Sequence, residues 1–446
     1  MLDLIKEIEL AIENPSLLEE LYHKSCLEGR EGEFLSEINR LYQLNPQDRL
    51  ISAWFYRLQH QRAKLVEKSK GINWALVATL SGILGFLFGI FSQKGLEMPA
   101  PMNIPFLFLI WSPLTVAFLS YYLLSDVYQK RRQSYFLIAF LLLVAAYGSW
   151  MINQPYFNLW LDEGYANHYL IILLSHLPLL SWLILGWCQL SLPSNPQEHH
   201  SFFLKSIEVI LLGGILISIS FAFIALASSL FSTLGIYPGE EMTRWVYPFI
   251  FGLIPITAVS LVYAPRVISS QQNFQQGFIR LIPTIGSIFA TLMLTLQVVF
   301  LLALPFNFWQ PFKQREVLLI YNIFLLFTLG LIFVATPLNR ENLTEKLEKW
   351  LRKVLLSVGA LSLIICLYAF SAIIYRTLYF DSLTVNRFTI IGWNIINISL
   401  LIIYLYYQLK QGKENWIDST QKVLQYAMVA YTIWAGLLLI LLPALF

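Results

Sequence analysis

A single histidine stands deep in an apolar stretch of this chain: His176, in the run Ser175-His176-Leu177-Pro178. In hydrocarbon an imidazole is costly to keep, and its two ring nitrogens suit it to relay a proton, hold a ligand or bond a neighbouring helix. Pro178 removes a backbone hydrogen bond beside it, so the carbonyl freed one turn back needs water or a side chain as partner. Two readings follow, a proton or ligand site and a neutral imidazole bonded to another helix. Gln297, Asn322, Asn394 and Asn397 are the other polar residues set within apolar runs. Being uncharged, they suit hydrogen bonds between helices, or the wall of a cavity that takes a neutral molecule.

A second group of candidates sits between two late apolar runs, in Tyr375-Arg-Thr-Leu-Tyr-Phe-Asp-Ser-Leu-Thr-Val-Asn-Arg387. Thr384 is placed to cap the helix that follows, which puts Asn386 and Arg387 in its first turn, where the helix dipole repels a cation. Arg387 therefore calls for a neutralising partner: Asp381, a lipid phosphate or an anionic ligand. The stretch resembles a motif of the bacterial polytopic family called domain of unknown function 4153: an aromatic, Gly-Leu-Thr, two residues, Arg and an apolar helix. Leu383, Thr384 and Arg387 match, while Ser382 stands where that pattern has Gly. The likeness extends over about residues 73–446. It implies a multi-pass inner-membrane protein and brings no catalytic residue with it.

Standard catalytic patterns are missing: no Walker A loop, no H-E-x-x-H, no G-x-S-x-G and no G-x-G-x-x-G after a strand. Cys26, Cys188 and Cys366 are too scattered for a disulfide framework or a zinc site. His199 and His200 adjoin Glu198 at a spacing that does not put two ligands on one helix face, so neither a metal nor another cofactor is expected. Nor is nucleic-acid binding, because the net charge is only +3 and there is no basic stripe with interleaved aromatics.

The elements that must position these residues are membrane helices. Of the 446 residues 57% are hydrophobic and only 13% charged, so lipid rather than water is the solvent of this fold. From Asn73 onward about eleven apolar runs of roughly 20 residues recur, each long enough for a hydrocarbon core of about 30 Å. One lies at about 206–230, with Lys205 in the loop before it and Glu208 in its first turn. Basic residues concentrate in alternate loops, 19 against six, which puts the N-terminus inside and the C-terminus outside. The N-terminus lacks the basic and apolar regions of a cleavable signal, so the first span is expected to direct insertion.

Residues 1–70 are different material, charged and broken at Gly29 to Gly32 and at Asn45-Pro46, and they predict a cytosolic module of short amphipathic helices. Asn45 is the expected cap of its last helix. Residues 340–353 predict an amphipathic helix lying flat on the inner leaflet. Ser81, Gly85 and Gly89, and separately Gly214, Ser218, Ala222, Ala225 and Ser229, form small-residue stripes that admit close neighbours. Pro248, Gly252 and Pro255, with Pro283 and Gly286, mark either broken helices or ordinary kinks.

The fold class is thus all-α: a polytopic membrane bundle over 73–446 preceded by a helical module over 1–70. The absence of fixed charge in the spans points to a non-enzymatic, transporter-like or channel-like protein for a neutral, amphipathic or lipid-like molecule. The alternative is a scaffold or signalling protein that binds a cytosolic partner through residues 1–70. A third reading, a membrane enzyme for lipid-linked substrates, would have to draw on Asp381, Arg387 and His176. The expected partners are membrane lipids. The candidate ligand- or lipid-binding residues are His176, Gln297, Asn322, Asp381, Thr384, Asn386, Arg387 and Asn394.

Overall fold

The structure is a computed structural model that describes residues 7–8, 11, 14–27, 31–45, 47–68, 72–98, 104–124, 128–152, 163–190, 194–233, 239–265, 269, 272, 274, 277–313, 315–338, 344–379, 384–411 and 415–445. The chain divides into two compact units, residues 1–73 with 127–129, and residues 74–126 with 130–446.

The first unit holds α1 (Pro15–Leu27), α2 (Glu31–Leu44) and α3 (Arg49–Lys68). Asn14 opens α1, its Oδ1 accepting the Ser16 N–H at 3.1 Å, with Pro15 in the first helical position. The cap of α3 is Asp48 and not Asn45: Asp48 Oδ1 accepts from the amides of Leu50 and Ile51 at 2.9 and 3.0 Å. Asn45 instead closes α2, its amide bonded to the Leu41 carbonyl. Leu18, Leu21, Phe34, Ile38, Ile51 and Trp54 interlock as an apolar core of this unit's own. Over it Arg57 reaches Glu19, with Nη2 2.7 Å from Oε1, and lies across the Trp54 ring.

The second unit comprises α4 (Trp74–Phe91), α5 (Leu107–Leu124), α6 (Tyr128–Ile152), α7 (Glu163–Gln189), α8 (Pro196–Thr233), α9 (Glu240–Val262), α10 (Ile282–Ala303), α11 (Gln310–Lys313), α12 (Arg315–Ala335), α13 (Glu345–Tyr379), α14 (Val385–Lys410) and α15 (Trp416–Leu445). Among the described residues nine helices are long and apolar enough to cross a membrane, and two shorter apolar helices run over Leu107–Leu123 and Tyr321–Ala335. Among the described residues an apolar core cluster joins α10, α12, α13, α14 and α15 around Leu329, Leu355, Leu401 and Tyr404.

Small residues set the closest approach, that of α4 to α9. A Cβ on Gly252 would lie 2.5 Å from the Gly85 Cα, and one on Gly85 would lie 2.6 Å from the Phe249 carbonyl oxygen. The Ser81, Gly85 and Gly89 stripe therefore admits a neighbour, as its spacing predicts. On α8 the stripe Gly214, Ser218, Ala222, Ala225 and Ser229 is exposed among the described residues. α9 passes unbroken through Pro248 and Pro255, and Pro283 sits in the first turn of α10, where it needs no hydrogen-bond partner.

Two expectations are corrected. α8 starts at Pro196, about ten residues before the expected span, because Asn195 caps it: Asn195 Oδ1 accepts the Gln197 amide at 3.2 Å, and Pro196 takes the first helical position. His199, His200, Lys205 and Glu208 are consequently buried helix residues. Lys205 is no loop residue, and Glu208 lies well beyond the first turn. The segment 340–353 is not a separate flat helix either. Residues 340–343 lie outside those described, and 345–353 are the opening turns of the continuous helix α13. Nothing between Trp350 and Ser357 breaks it, since Leu351-Arg-Lys-Val-Leu-Leu356 contains no Gly or Pro.

Two predictions follow from these contacts. Gly85→Val forces the α4 and α9 backbones apart, and the purified protein's melting temperature should fall markedly, as expected for about 2 kcal/mol or more of overpacking. In the first unit the hydrogen bond from Arg57 holds the Glu19 carboxyl below the usual carboxylate range. A depressed carboxylate stabilises the fold above its ordinary pKa, and that contribution is lost as pH falls through the folded value. Amide exchange in α1 and α3 of the full chain should therefore speed up slightly below about pH 4. The pair is partly exposed, so the effect is below about 1 kcal/mol, and Arg57→Gln should abolish it.

Candidate functional site

A cleft of about 780 Å³ opens in the second unit. α7 and α8 form one wall, α10 and α12 the other, and α14 and α15 the floor. Its volume falls within the roughly 300–1,000 Å³ of pockets that hold small organic ligands. Most of its lining is aliphatic or aromatic. The polar side chains among its lining residues are Ser175, His176, Asn322, Asn397, the Trp182 and Trp393 indoles and the Tyr431 hydroxyl, none of them carrying a fixed charge; the Trp182 N–H is taken up by Ser206 Oγ at 3.0 Å.

The floor is held by a glycine. A Cβ on Gly392 of α14 would come within 1.9 Å of the Trp434 ring of α15, so only glycine lets these helices meet here. One turn before Trp434, Tyr431 then reaches the next residue of α14, its ring 5.2 Å from that of Trp393. The Tyr431 hydroxyl donates to Asn397 Oδ1 at 2.6 Å. Across the cleft the Trp393 Nε1–H donates to His176 Nε2 at 3.0 Å, with the two rings 5.8 Å apart.

That last bond decides what His176 can do. An indole N–H only donates, so Nε2 must present a lone pair and the ring proton must sit on Nδ1. Nδ1 faces the Ile172 carbonyl at 2.9 Å, where an N–H is the group required. Ser175 Oγ stands 2.9 Å from the same nitrogen and 3.1 Å from the same carbonyl. In this arrangement Nδ1 is no base for Ser175, since its lone pair is replaced by a proton. The cluster offers hydroxyl, amide and imidazole groups for hydrogen bonding.

Of the residues singled out from the sequence, His176, Asn322 and Asn397 line the cleft. Asn394 is buried behind it and donates through Nδ2 to Asn322 Oδ1 and to the Ile390 carbonyl. Gln297 is elsewhere: its Nε2 donates to Ser362 Oγ at 2.6 Å, pinning α10 to α13. Thr384 precedes α14 in the extended conformation of a cap, without a side-chain capping hydrogen bond. It and the half-buried Asn386 and Arg387 open α14 and do not belong to the cleft lining. Asp381 lies outside the described residues. Trp393 and Tyr431 were not singled out, although a tryptophan well inside an apolar run, away from the interfacial aromatic belt, was a usable signal.

A buried ion pair lies apart from these groups on α8. Lys205 Nζ is 2.8 Å from Glu208 Oε2, with side chains 3% and 6% exposed. Glu208 Oε1 also accepts the Ile279 amide at 3.2 Å, and the positive φ of Gly277 brings the backbone close beside that carboxylate. Next to this pair along the helix, His200 Nε2 faces the Phe333 carbonyl at 3.0 Å, while Gln421 reaches both Nδ1 and the Leu338 carbonyl. Among the described residues no cluster of three or more metal-ligating side chains occurs.

No known protein family, curated protein or solved structure matches the chain.

Replacing Trp393 by Phe keeps a ring in the floor and removes the donor. Nitrogen-15 NMR of labelled histidine should show the Nδ1–H tautomer at His176 in the native protein, and mixed tautomers with a loss of about 1 kcal/mol in stability for Trp393→Phe. A native Nε2–H tautomer would contradict the assignment.

Proposed function

We propose that this chain is a multi-pass inner-membrane protein that binds and moves a neutral, amphipathic or lipid-like molecule through the cleft. In this reading eleven helices span the bilayer, the two shorter apolar helices included, with residues 1–70 inside and the C-terminus outside. The likeness of Leu383, Thr384 and Arg387 to domain of unknown function 4153 carries the proposed family.

The observation that supports it most is the chemistry of the cleft wall: a large apolar surface with a few uncharged hydrogen-bonding groups gathered on it. A charged ligand would lose its hydration and gain no counter-ion there, a cost of several kcal/mol. Catalysis receives no support from the same groups, because the proton on His176 Nδ1 leaves Ser175 without a base. The scaffold reading is favoured by one feature, the separate apolar core of the first unit. Deleting residues 1–70 separates the two: flux survives in the first case, and capture of a cytosolic partner is lost in the second.

Gly330 gives the direct test, since it lines the cleft and a Cβ placed on it would meet nothing within 4 Å. Gly330→Leu should fill ligand space while stabilising α12 by up to about 1 kcal/mol. In proteoliposomes carrying the native protein, a fluorescent long-chain alcohol or monoacylglycerol should cross faster than in empty vesicles. Gly330→Leu should cut that flux about tenfold at an undiminished melting temperature, whereas native-like flux in the variant would overturn the assignment to the cleft.

A further inference from the structure

The polar groups of the cleft gather at one end, while at the other the single polar group, the Trp182 indole N–H, is spent on Ser206 Oγ at 3.0 Å; this sets both the shape of the ligand and the direction in which it lies. On α12, Asn322 marks the polar end and Val334 the apolar end. At about 1.5 Å rise per residue they stand roughly 18 Å apart along the helix. Ser175 and His176 on α7 and Trp393 on α14 fall at the Asn322 end, joined to it through Asn394 and through the bond from Trp393 to His176. Phe203 and Ile207 of α8 and Ile285 of α10 close the other end, where Val334 packs against the cluster that includes Phe203, Ile207 and Ile282. The α12 side chains at the mouth, Ile323, Leu326 and Phe327, are apolar and more than half exposed, so the mouth itself is greasy.

Resting on the cleft as the binding site, we infer that the ligand is a single-tailed lipid with a neutral hydroxyl or amide head. The head bonds at Ser175 and Asn322, and the tail extends roughly 18 Å towards Val334 and Phe203. The lipid passes in sideways from the bilayer between α12 and α7, past Ile323 and Phe327. An apolar mouth admits a tail without exposing it to water, and the uncharged head finds hydrogen-bond partners only after it is inside. A small polar solute would leave most of the apolar wall unfilled, and a two-tailed phospholipid would bring a charged phosphate to a wall without a cation.

The test uses the full-length protein in nanodiscs with two photoreactive monoacylglycerols, one carrying a diazirine at the tail terminus and one beside the head. Peptide mapping should place the tail label on Phe203, Ile207 or Val334 and the head label on Ser175, His176 or Trp393. An excess of unlabelled long-chain monoacylglycerol should compete, and a fatty acid, a lysophospholipid or glycerol should not. Reversed labels would overturn the orientation while leaving the cleft as binding site. Competition by glycerol alone, or by charged-head analogues as strongly as by monoacylglycerol, would overturn the lipid class. No saturable label in the cleft would overturn the binding reading itself. Ile323→Glu puts a charge at the mouth on a surface position, so it should slow labelling about tenfold with an unchanged label pattern. Labelling at the native rate in that variant would overturn the lateral route.

Discussion

A polar side chain in hydrocarbon has no water to fall back on, so it must be satisfied by another part of the protein. That constraint orders the interior of the second unit. Lys205 meets Glu208, Gln297 meets Ser362, Asn394 meets Asn322, Asn397 meets Tyr431 and His176 meets Trp393. All but the first of these bonds join two different helices, and each therefore fixes a helix pair in rotation and in depth as well as in contact. Apolar packing alone would leave that register loose, because lipid tails are as good a neighbour to leucine as another helix is.

Close approach is the other requirement, and glycine supplies it at several places, two of which have different consequences. Between α4 and α9, Gly85 and Gly252 bring two backbones together in a pair that does not line the cleft. Between α14 and α15, Gly392 receives the Trp434 ring, and the cleft floor follows from that contact. With the helices this close, the Tyr431 ring packs tilted against Trp393, and Trp393 is held where its indole N–H points at His176. A residue that never touches the cleft thus sets the tautomer of the histidine inside it.

The helical class and the positions of the apolar helices were legible because hydropathy is a property of consecutive residues, and consecutive residues are what a sequence displays. Boundaries were less so. The cap Asn195-Pro196 was written in the chain, but averaging over a window gave the charged stretch Glu198 to Lys205 to a loop, and the helix in fact begins before it. The amphipathic turns after Glu345 show the same effect in reverse: a change in composition looks like a change of element where the backbone simply continues. For the cleft, His176, Asn322 and Asn394 stood out as polar residues among apolar ones. Trp393 and Tyr431 did not, since each reads as ordinary membrane-helix material until its partner is known. Partnership across 217 positions, as between Trp393 and His176, leaves no local trace in a single sequence.

The same reasoning explains why the buried Lys205–Glu208 ion pair stands outside the cleft lining. An ammonium and a carboxylate at 2.8 Å, each almost fully enclosed, spend their charges on each other, and the Ile279 amide takes up part of what remains on the carboxylate. Buried in this way the pair adds little attraction for any third group, though removing one partner would leave the other uncompensated at a cost of about 3–5 kcal/mol. It can therefore tie α8 to the segment before α10 without presenting a field to the cleft. The cleft wall keeps only dipoles, which can bond a hydroxyl or an amide and offer nothing to balance an ion. The proposed selection for a neutral head thus rests on where the fold neutralises its charges, in addition to the groups that face the cleft.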